Sequence, residues 1–248
     1  DGCIIAQSND EIARRAKVIG LSLPTIETNR QVVREIAKAG VAGTVVVDTC
    51  TIGIDAAKLN AQILNEVGIE YLDSPVSGLK FRAEEGALVS MVSGPASELK
   101  KARRLLEGYS RAVVHVGTEP GQGQRMKVLN NAICIASYVI SSEALTYGEA
   151  GGLKVREMLE VINESSGQNF ATKFLFPKYV ATEQYDASGA EAHIIEKDIS
   201  LFVEGADGDG TPSKVIAAAY EIIKAFNEAD PLQDQMNIYP YVKGLHKD

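Results

Sequence analysis

The sequence predicts an α/β domain built on a parallel sheet, followed by an all-helical domain. In the first half of the chain, short runs of β-branched residues alternate with amphipathic stretches of helical period, the pattern that builds βα units. After Gly117 the strand signals stop and a long apolar-periodic stretch begins. We therefore expect residues 1–119 to form the α/β domain and residues 120–248 to form the helical domain.

The α/β domain should contain five short strands and the helices between them. The strands are expected at Val18–Leu23, Thr44–Thr49, Ile69–Asp73, Leu88–Ser93 and Ala112–Val116. The helices are expected at Asn9–Lys17, Thr28–Ala39 and Ala56–Val67. Ser8 or Asn9 would cap the first helix, and Gly68 would end the last one.

The helical domain should begin with one unusually long helix, from about Gly123 to Glu149. Further helices are expected at Val155–Asn163, after Asn169, at Ala190–Glu204 and at Ser213–Phe226, with a glycine-rich break at Gly205–Gly210. A long helix that follows an α/β domain can connect the two domains and line a cleft between them. Small-molecule sites tend to lie in such clefts, so function is expected there.

Composition narrows the classes of partner. A hydrophobic fraction of 45% and a charged fraction of 23% are those of an ordinary folded protein. The formal net charge of −8 would repel anionic surfaces, so no nucleic-acid or anionic-membrane partner is expected. We also see no run of about 20 apolar residues, the length that a membrane span requires.

The cysteines point to a reducing compartment. The chain has three cysteines, Cys3, Cys50 and Cys134, an odd number. They lack the spacing of metal ligands with the histidines, so we expect no metal site. The first residues lack the plan of a signal peptide. We expect a cytoplasmic protein, with an organelle matrix as the alternative.

The segment from Gly121 to Asn131 carries the strongest chemical signal. Glycines such as Gly123 stand where the long helix begins, so backbone N–H groups could approach an anionic ligand closely. Lys127 and Asn131 are four residues apart and share one helical face. Apolar neighbours predict that this helix is buried over much of its girth, and a buried lysine can become a base. The alternative is that Lys127 is a solvated surface lysine.

Two polar segments follow predicted strands. The stretch DSPVSG, which contains Ser77 and Gly78, could bind a carboxylate at the carboxyl end of its strand. The alternative is a plain polar turn. The stretch DTCT, which contains Thr51, offers hydroxyls that suit a ribose or an amide.

The order of these motifs resembles the β-hydroxyacid dehydrogenase family, of the 3-hydroxyisobutyrate and 6-phosphogluconate dehydrogenase type. DTCT, DSPVSG and G-x-x-x-K-x-x-N-N occur in the family's order. Lys197-Asp198 is similar to the family's K-D motif, Leu23-Pro24-Thr25 to its leucine-proline loop, and Val113–Gly117 to its V-x-H-x-G strand. The resemblance covers nearly the whole chain.

The resemblance implies a Rossmann-like domain that binds NAD or NADP, and a small β-hydroxyacid as substrate, or the matching aldehyde acid in reverse. A homodimer or homotetramer is expected. The implied roles divide between substrate and cofactor. Lys127 would be catalytic, Asn131 would orient the substrate, Ser77 and Gly78 would hold its carboxylate, Thr51 would lie against the nicotinamide riboside, Leu23 and Pro24 would line the cofactor path, and Lys197 would reach the cofactor.

The sequence departs from the family pattern in two places. After Ser77-Gly78 the family usually has further glycines, whereas this chain continues with Lys80 and Arg82. Arg82 or Lys80 could therefore bind a second anionic or strongly polar group of the substrate, unless both lie on a solvated turn. No G-x-G-x-x-G motif is found, nor a residue that chooses NAD or NADP. The chain is expected to begin inside the domain, roughly sixty residues in.

Two rival functions remain open at this point. An imine reductase shares the architecture but typically lacks the lysine, so Lys127 argues against it. A non-catalytic interaction module could have kept the fold after losing the phosphate-binding loop. The set of Lys127, Asn131 and Lys197 would be hard to explain in such a module.

Overall fold

The computed structural model describes residues 2–245. Contacts divide the chain into two compact units, the first ending at Lys127 and the second beginning at Val128. The division falls inside the long helix α6 (Gln122–Ala150). One continuous helix therefore belongs to both units, and the predicted boundary lay in the loop before it.

The N-terminal unit contains a six-stranded sheet. Its strands are β1 (Val18–Leu21), β2 (Val45–Asp48), β3 (Glu70–Asp73), β4 (Val76–Ser77), β5 (Leu88–Ser93) and β6 (Ser110–Gly117). The order is β1-β2-β3-β5-β4, with β6 paired to β5. Strands β1, β2 and β3 run parallel, whereas β5 is antiparallel to β3 and β4. The α/β architecture is confirmed, but the sheet is mixed rather than purely parallel.

Both faces of the sheet are covered, which explains the unbroken apolar run of β2. Val46 belongs to the core on one face, while Val45 and Val47 belong to the core on the other, because successive side chains of a strand point to opposite faces. The helices of this unit are α1 (Asn9–Arg15), α2 (Ile26–Ala39), α3 (Ile54–Asn65), α4 (Leu79–Glu84) and α5 (Ala96–Glu107). All except α4, which has no buried residue, contribute side chains to the two cores. The sequence reasoning missed α4 and α5, as well as the two-residue strand β4.

The helices α1 and α2 begin where hydroxyl side chains satisfy their first amides. Ser8 Oγ accepts a hydrogen bond from the Glu11 N–H, so the cap left open between Ser8 and Asn9 is Ser8. Thr25 does the same for Thr28 at the start of α2. Such caps satisfy amides that have no partner within the helix.

The elements of the C-terminal unit are helices in the part that the structure describes, apart from an isolated antiparallel bridge between Glu191 and Asp234. After α6 come α7 (Val155–Asn163), a π-helical turn (Ala171–Leu175) that leads into α8 (Phe176–Tyr179), α9 (Ala192–Gly208), α10 (Lys214–Ala229), a 3-10 turn (Gln235–Asn237) and α11 (Ile238–Gly244). The break predicted from Gly205 was wrong in position, because α9 continues to Gly208. Helix α9 packs along α10, and tertiary packing outweighs the cost of about 1 kcal/mol per helical glycine.

Helix α6 departs from expectation in two ways. It is long and apolar enough to cross a membrane, although half of its most apolar 18-residue stretch is buried inside the protein. Core helices of soluble domains can be equally long and apolar. The helix is also less enclosed than predicted, since Leu129, Ile133 and Ile140 are 40%, 61% and 51% exposed.

Candidate active site

The carboxyl ends of β2 and β3 each carry a fully buried aspartate, Asp48 and Asp73. Polar segments follow both strands at this edge, where open α/β sheets bind ligands. Unpaired buried carboxylates are costly, so each must find hydrogen-bond donors. The donors that they find determine the local geometry.

Asp48 organises the start of the loop after β2. Its Oδ2 accepts hydrogen bonds from Asn29 Nδ2 and from the Tyr71 hydroxyl, each at 2.9 Å. Its Oδ1 accepts from the Cys50 N–H at 3.1 Å. Asn60 Nδ2 in turn donates to Asn29 Oδ1 at 2.7 Å. Burial, with the charge of Asp48 beside it, raises the pKa of Tyr71 well above its usual value, so the phenol stays a donor.

Asp73 anchors the beginning of α6. Its Oδ2 accepts from the Gly121 and Gln124 N–H groups at 3.2 and 2.9 Å and from Ser93 Oγ at 3.3 Å. Its Oδ1 accepts from Gln124 Nε2 at 2.7 Å. A negative charge at this end of a helix also interacts favourably with the helix dipole. Burial nevertheless raises the pKa of Asp73 to about 6, against the opposing effect of the Gln124 and Ser93 hydrogen bonds.

The side chain of Gln124 joins α6 to the loop after β2. It is fully buried, and its Oε1 accepts from the Ile52 and Gly53 N–H groups at 2.9 and 3.1 Å. Its Nε2 donates to the Cys50 carbonyl at 2.9 Å. The three backbone groups that it binds lie on either side of Thr51.

Two hydroxyls at this edge are available to a ligand. Thr51 and Ser77 are half-buried, and neither hydroxyl has a hydrogen-bond partner among residues 2–245. Thr51 follows β2, and Ser77 is the last residue of β4. A hydroxyl can both donate and accept, so this pair fits a ribose or amide and a carboxylate. The chemistry of these groups fits a nicotinamide cofactor with an acidic substrate.

Gly78 is packed under the stem of Arg82. The glycine has φ = 149°, and a Cβ built there would lie 2.9 Å from Arg82 Cβ and 3.1 Å from its Cδ. Arg82 is half-buried, with its guanidinium carbon 5.6 Å from the centre of the Phe81 ring. Lys80, by contrast, is exposed and lies 3.9 Å from Glu84. Of the two cations, only Arg82 packs against the Ser77-Gly78 segment.

Gly123 has a packing function in this structure. A Cβ there would lie 2.7 Å from the Met91 carbonyl oxygen and 2.8 Å from that of Asp73. Its N–H donates to Ser93 Oγ at 2.9 Å, so it is already occupied. The ligand contact expected for Gly123 therefore has no free donor in this arrangement, and it stays a prediction.

The predicted cofactor residues of β1 follow that strand directly. Leu23 is half-buried and Pro24 is exposed. The Leu23 N–H donates to Cys50 Sγ at 3.1 Å. Burial and the nearby charge of Asp48 raise the pKa of Cys50 to about 12. The cysteine is therefore a neutral packing residue that ties the β1 and β2 loops together.

Lys127 is half-buried and lies on α6 three residues beyond Gln124.

In the C-terminal unit, one carboxylate joins two other predicted site residues. Asp198 Oδ2 accepts from Asn131 Nδ2 at 2.7 Å, and its Oδ1 lies 3.0 Å from Lys197 Nζ. Asn131 and Lys197 are thus brought together, although they are distant in sequence.

Within the described part of the chain, no group of three or more His, Cys, Asp or Glu side chains could hold a metal ion.

Comparison with known proteins gives the family. Residues 1–117 match the model of the NAD binding domain of 6-phosphogluconate dehydrogenase. Residues 121–242 match that of the NAD-binding region of NADP-dependent 3-hydroxyisobutyrate dehydrogenase. The chain is 30% identical over 226 residues to 2-(hydroxymethyl)glutarate dehydrogenase of Eubacterium barkeri, covering 90% of this chain and 74% of the relative. The chain belongs to the β-hydroxyacid dehydrogenase family. It is an NAD(P)-dependent oxidoreductase of hydroxyacids, as the resemblance implied.

Other family members are similar to a comparable degree. An NAD-dependent L-serine dehydrogenase of Pseudomonas aeruginosa is 33% identical over 187 residues, covering 73% of this chain and 62% of the relative. The structure of Mycobacterium tuberculosis 3-hydroxyisobutyrate dehydrogenase with L-serine superimposes with a TM-score of 0.86 at 26% identity, covering 95% of this chain and 82% of that one. An imine reductase of Streptomyces aurantiacus, with a TM-score of 0.59 and 19% identity, shares the fold at greater distance and covers 100% of this chain and 85% of its own.

Sequence reasoning missed the residues that organise these motifs. Gln124 lies in the G-x-x-x-K-x-x-N-N motif and Asp73 in DSPVSG, but the sequence alone predicts no function for either, and it marks Asp198 only as part of the K-D motif. The signal that could have identified them is a polar residue close in sequence to a predicted site residue. The partners lie 51 residues apart for Asp73 and Gln124 and 67 apart for Asn131 and Asp198, so the pairing itself was not visible.

Proposed function

We propose that this enzyme oxidises the primary alcohol of a small 3-hydroxyacid to an aldehyde, with Lys127 as the general base. The observation that carries the proposal is the pair of unpartnered hydroxyls, Thr51 and Ser77, at one edge of the sheet in the unit that also contains Lys127. Ser77 and the Gly78 segment offer donors for a substrate carboxylate. Thr51 offers a hydroxyl for the nicotinamide riboside.

The chain's own residues have separate tasks in this reaction. NAD or NADP accepts the hydride when bound, and the hydroxyl proton must then reach a base. The Lys127 amine takes that proton, and in reverse its ammonium returns it. Asn131 orients the substrate through its amide, which Asp198 holds in place. Lys197 would contact the cofactor, and the Leu23-Pro24 loop would line the cofactor path.

Replacing Lys127 tests the assignment directly. We expect Lys127→Ala to lower kcat by about 10²- to 10⁴-fold, the usual contribution of a positioned proton-transfer group. Lys127→Arg keeps the charge but cannot serve as a base at neutral pH, so it should be similarly slow. Lys58→Ala is the matched control, because Lys58 is exposed on α3 of the same unit. Turnover of Lys127→Ala within a fewfold of wild type would refute the proposed mechanism.

We further propose that the preferred substrate carries a second anionic group, recognised by Arg82. The half-buried stem of Arg82 over Gly78 supports this, as does the name of the relative that acts on 2-(hydroxymethyl)glutarate, a dicarboxylate. A guanidinium binds a carboxylate through two parallel hydrogen bonds. The relatives named for L-serine and 3-hydroxyisobutyrate support the competing choice of a monocarboxylate.

The substrate class can be tested with those three compounds and both cofactors. We expect Arg82→Ala to raise KM for 2-(hydroxymethyl)glutarate roughly tenfold, equivalent to about 1.4 kcal/mol, and to leave KM for 3-hydroxyisobutyrate unchanged. Lys80→Ala is the control, because Lys80 is exposed and paired with Glu84. An equal rise for both substrates would leave a monocarboxylate as the better assignment.

We propose a homodimer or homotetramer that assembles through α6. Leu129, Ile133, Ile140 and Tyr147 leave an exposed apolar stripe on this helix, which favours burial against another copy. Light scattering of Ile133→Glu against wild type tests this, with the expected result a shift to smaller species. An unchanged mass would exclude this stripe as the interface.

We also propose a reducing compartment, the cytoplasm or an organelle matrix. None of the three cysteines, all of which the structure describes, is in a disulfide, which supports that location. A relative from Dictyostelium discoideum is named as mitochondrial, which supports the matrix alternative. Fractionation of the source cells distinguishes the two.

A further inference from the structure

We infer that Gln124 is a positioning residue for this reaction, because its carboxamide fixes the backbone around Thr51 to the turn of α6 that leads to Lys127. The inference rests on the proposed function in one respect, since it takes Thr51 as the cofactor contact and Lys127 as the base. Gln124 itself takes no part in the proton or hydride transfer. It acts through the distance between the segments that carry them.

The carboxamide uses its full hydrogen-bonding capacity. Both acceptor sites of Oε1 are taken by the Ile52 and Gly53 amides, and both hydrogens of Nε2 are donated, to the Cys50 carbonyl and to Asp73 Oδ1. The side chain is fully buried. A buried amide with all four bonds made is held in one position and one orientation.

The orientation of this amide is also unique. If it were flipped, Oε1 would face the Asp73 carboxylate and the Cys50 carbonyl, while the NH2 group would face two backbone N–H groups. Each of the four hydrogen bonds would then become a repulsive contact. Asp73 therefore orients Gln124, and the Gln124 backbone N–H also donates to Asp73 Oδ2 at 2.9 Å. Strand β3, helix α6 and the Thr51 loop meet at this side chain.

The consequence of this connection is kinetic. Thr51 is bracketed by three backbone groups that one side chain binds, and that side chain lies three residues before Lys127 on the same helix. The hydride leaves the substrate's carbinol carbon, and the proton leaves the oxygen bonded to that carbon. The groups that receive them must therefore keep a fixed separation. A misplacement of about 1 Å can cost on the order of 10²-fold in rate.

The test compares Gln124→Met with a second buried glutamine. Methionine has similar length and no strong hydrogen bond to give. We expect kcat to fall roughly 10- to 100-fold, with a larger primary deuterium isotope effect on kcat as hydride transfer becomes rate-limiting. Gln235→Met is the matched control, since Gln235 is 1% exposed and donates to Ser188 Oγ in the other unit. The control should lose thermal stability without losing kcat.

A glutamate at the same position gives a second, independent signature. Gln124→Glu places a carboxylate against Asp73, the charged group that faces this site. The nearby titratable groups are Asp48, Cys50 and Tyr71. Two such carboxylates share a proton more readily as the pH falls. The protonated glutamate can again donate to Asp73, so kcat relative to wild type should rise as the pH falls from about 8 to about 6.

The outcomes separate this inference from the proposed function. Folded Gln124→Met with kcat within twofold of wild type would overturn the inference, as would a kcat loss that Gln235→Met matches at equal loss of stability. If Gln124→Met does not fold, a pH-independent ratio for Gln124→Glu overturns it instead. Lys127→Ala is measured in the same assay. Normal turnover of that variant refutes the proposed base whatever Gln124 does.

Discussion

Replacing Gly123 by alanine should destabilise the N-terminal unit, because the start of α6 approaches the sheet too closely for a side chain. The added Cβ would lie 2.7 Å from the Met91 carbonyl oxygen, 2.8 Å from the Asp73 carbonyl oxygen and 2.9 Å from Asp73 Oδ2. Two of these atoms belong to the backbone of β5 and β3, so they cannot rotate away. The helix or the strands must shift instead.

The size of the effect follows from that geometry. Overpacking usually costs 1–3 kcal/mol, and a shift of α6 would also lengthen the hydrogen bond from the Gly123 N–H to Ser93 Oγ. We expect the free energy of unfolding to fall by about 2–3 kcal/mol. With roughly 2–4 °C per kcal/mol for a chain of this size, Tm should fall by about 4–12 °C.

Thermal and urea unfolding followed by circular dichroism measure this change. Gly205→Ala is the matched control, because Gly205 also lies in a helix but has no atom within 4 Å of an added Cβ. That variant should gain about 0.5–1 kcal/mol from helix propensity and reduced chain entropy. If Gly123→Ala keeps its Tm but raises KM, then Gly123 serves ligand access rather than packing, and our reasoning is wrong.

Three further outcomes are expected. Because burial raises the pKa of Cys50 to about 12, a maleimide at pH 7.5 should label exposed Cys3 well before Cys50 in time-resolved mass spectrometry; equal rates would contradict this. Burial raises the pKa of Asp73 to about 6. Its contribution to the free energy of unfolding is therefore fully present below about pH 4, and up to about 3 kcal/mol of it is lost as the pH rises through 6. The stability difference between wild type and Asp73→Asn should shrink over that range, and a constant difference would refute the shift. Asn131→Ala should raise KM for the hydroxyacid more than it lowers kcat, and Asp198→Asn should have a weaker effect of the same kind; a pure kcat loss would count against the substrate-orienting role.

Much of the fold could be predicted because its signals are local. The strand Leu88–Ser93 and the helix Val155–Asn163 have the bounds that their patterns predict, since apolar periodicity and flanking breakers set those limits. Helix α5 was missed, although Leu99, Ala102 and Leu106 lie on one face of it and enter the core. Its lysine- and arginine-rich exposed face hid that stripe. Strand β4 has two residues, which is too short for any alternation to be visible.

The candidate site was predictable as a set of motifs and not as a network. Thr51, Ser77 and Lys127 could be chosen because each stands at a strand end or a helix start. The positions of Asp73 and Gln124 in the same motifs carry no local signal of their contact, because that contact is made only when β3 and α6 meet. Long-range polar pairs of this kind depend on the folded backbone, and hydrophobic patterning contains no information about them.

The two proposed substrate contacts on α6 are related by local geometry alone. Lys127 and Asn131 are four residues apart on one unbroken helix, so a rise of about 1.5 Å per residue separates their Cα atoms by about 6 Å along the axis. That separation needs no tertiary contact, whereas the position of Thr51 relative to Lys127 does. Buried polar groups fix that second relation. Gln124 makes the hydrogen bonds between the Thr51 loop and α6, and Asp73 on β3 holds the Gln124 amide in place. Apolar packing would allow the helix to slide by a fraction of an ångström, and directional hydrogen bonds do not. The proton acceptor and the cofactor contact must act on adjacent atoms of the substrate. This requirement explains why a polar junction occurs here, where a sheet and a helix would otherwise pack through aliphatic side chains.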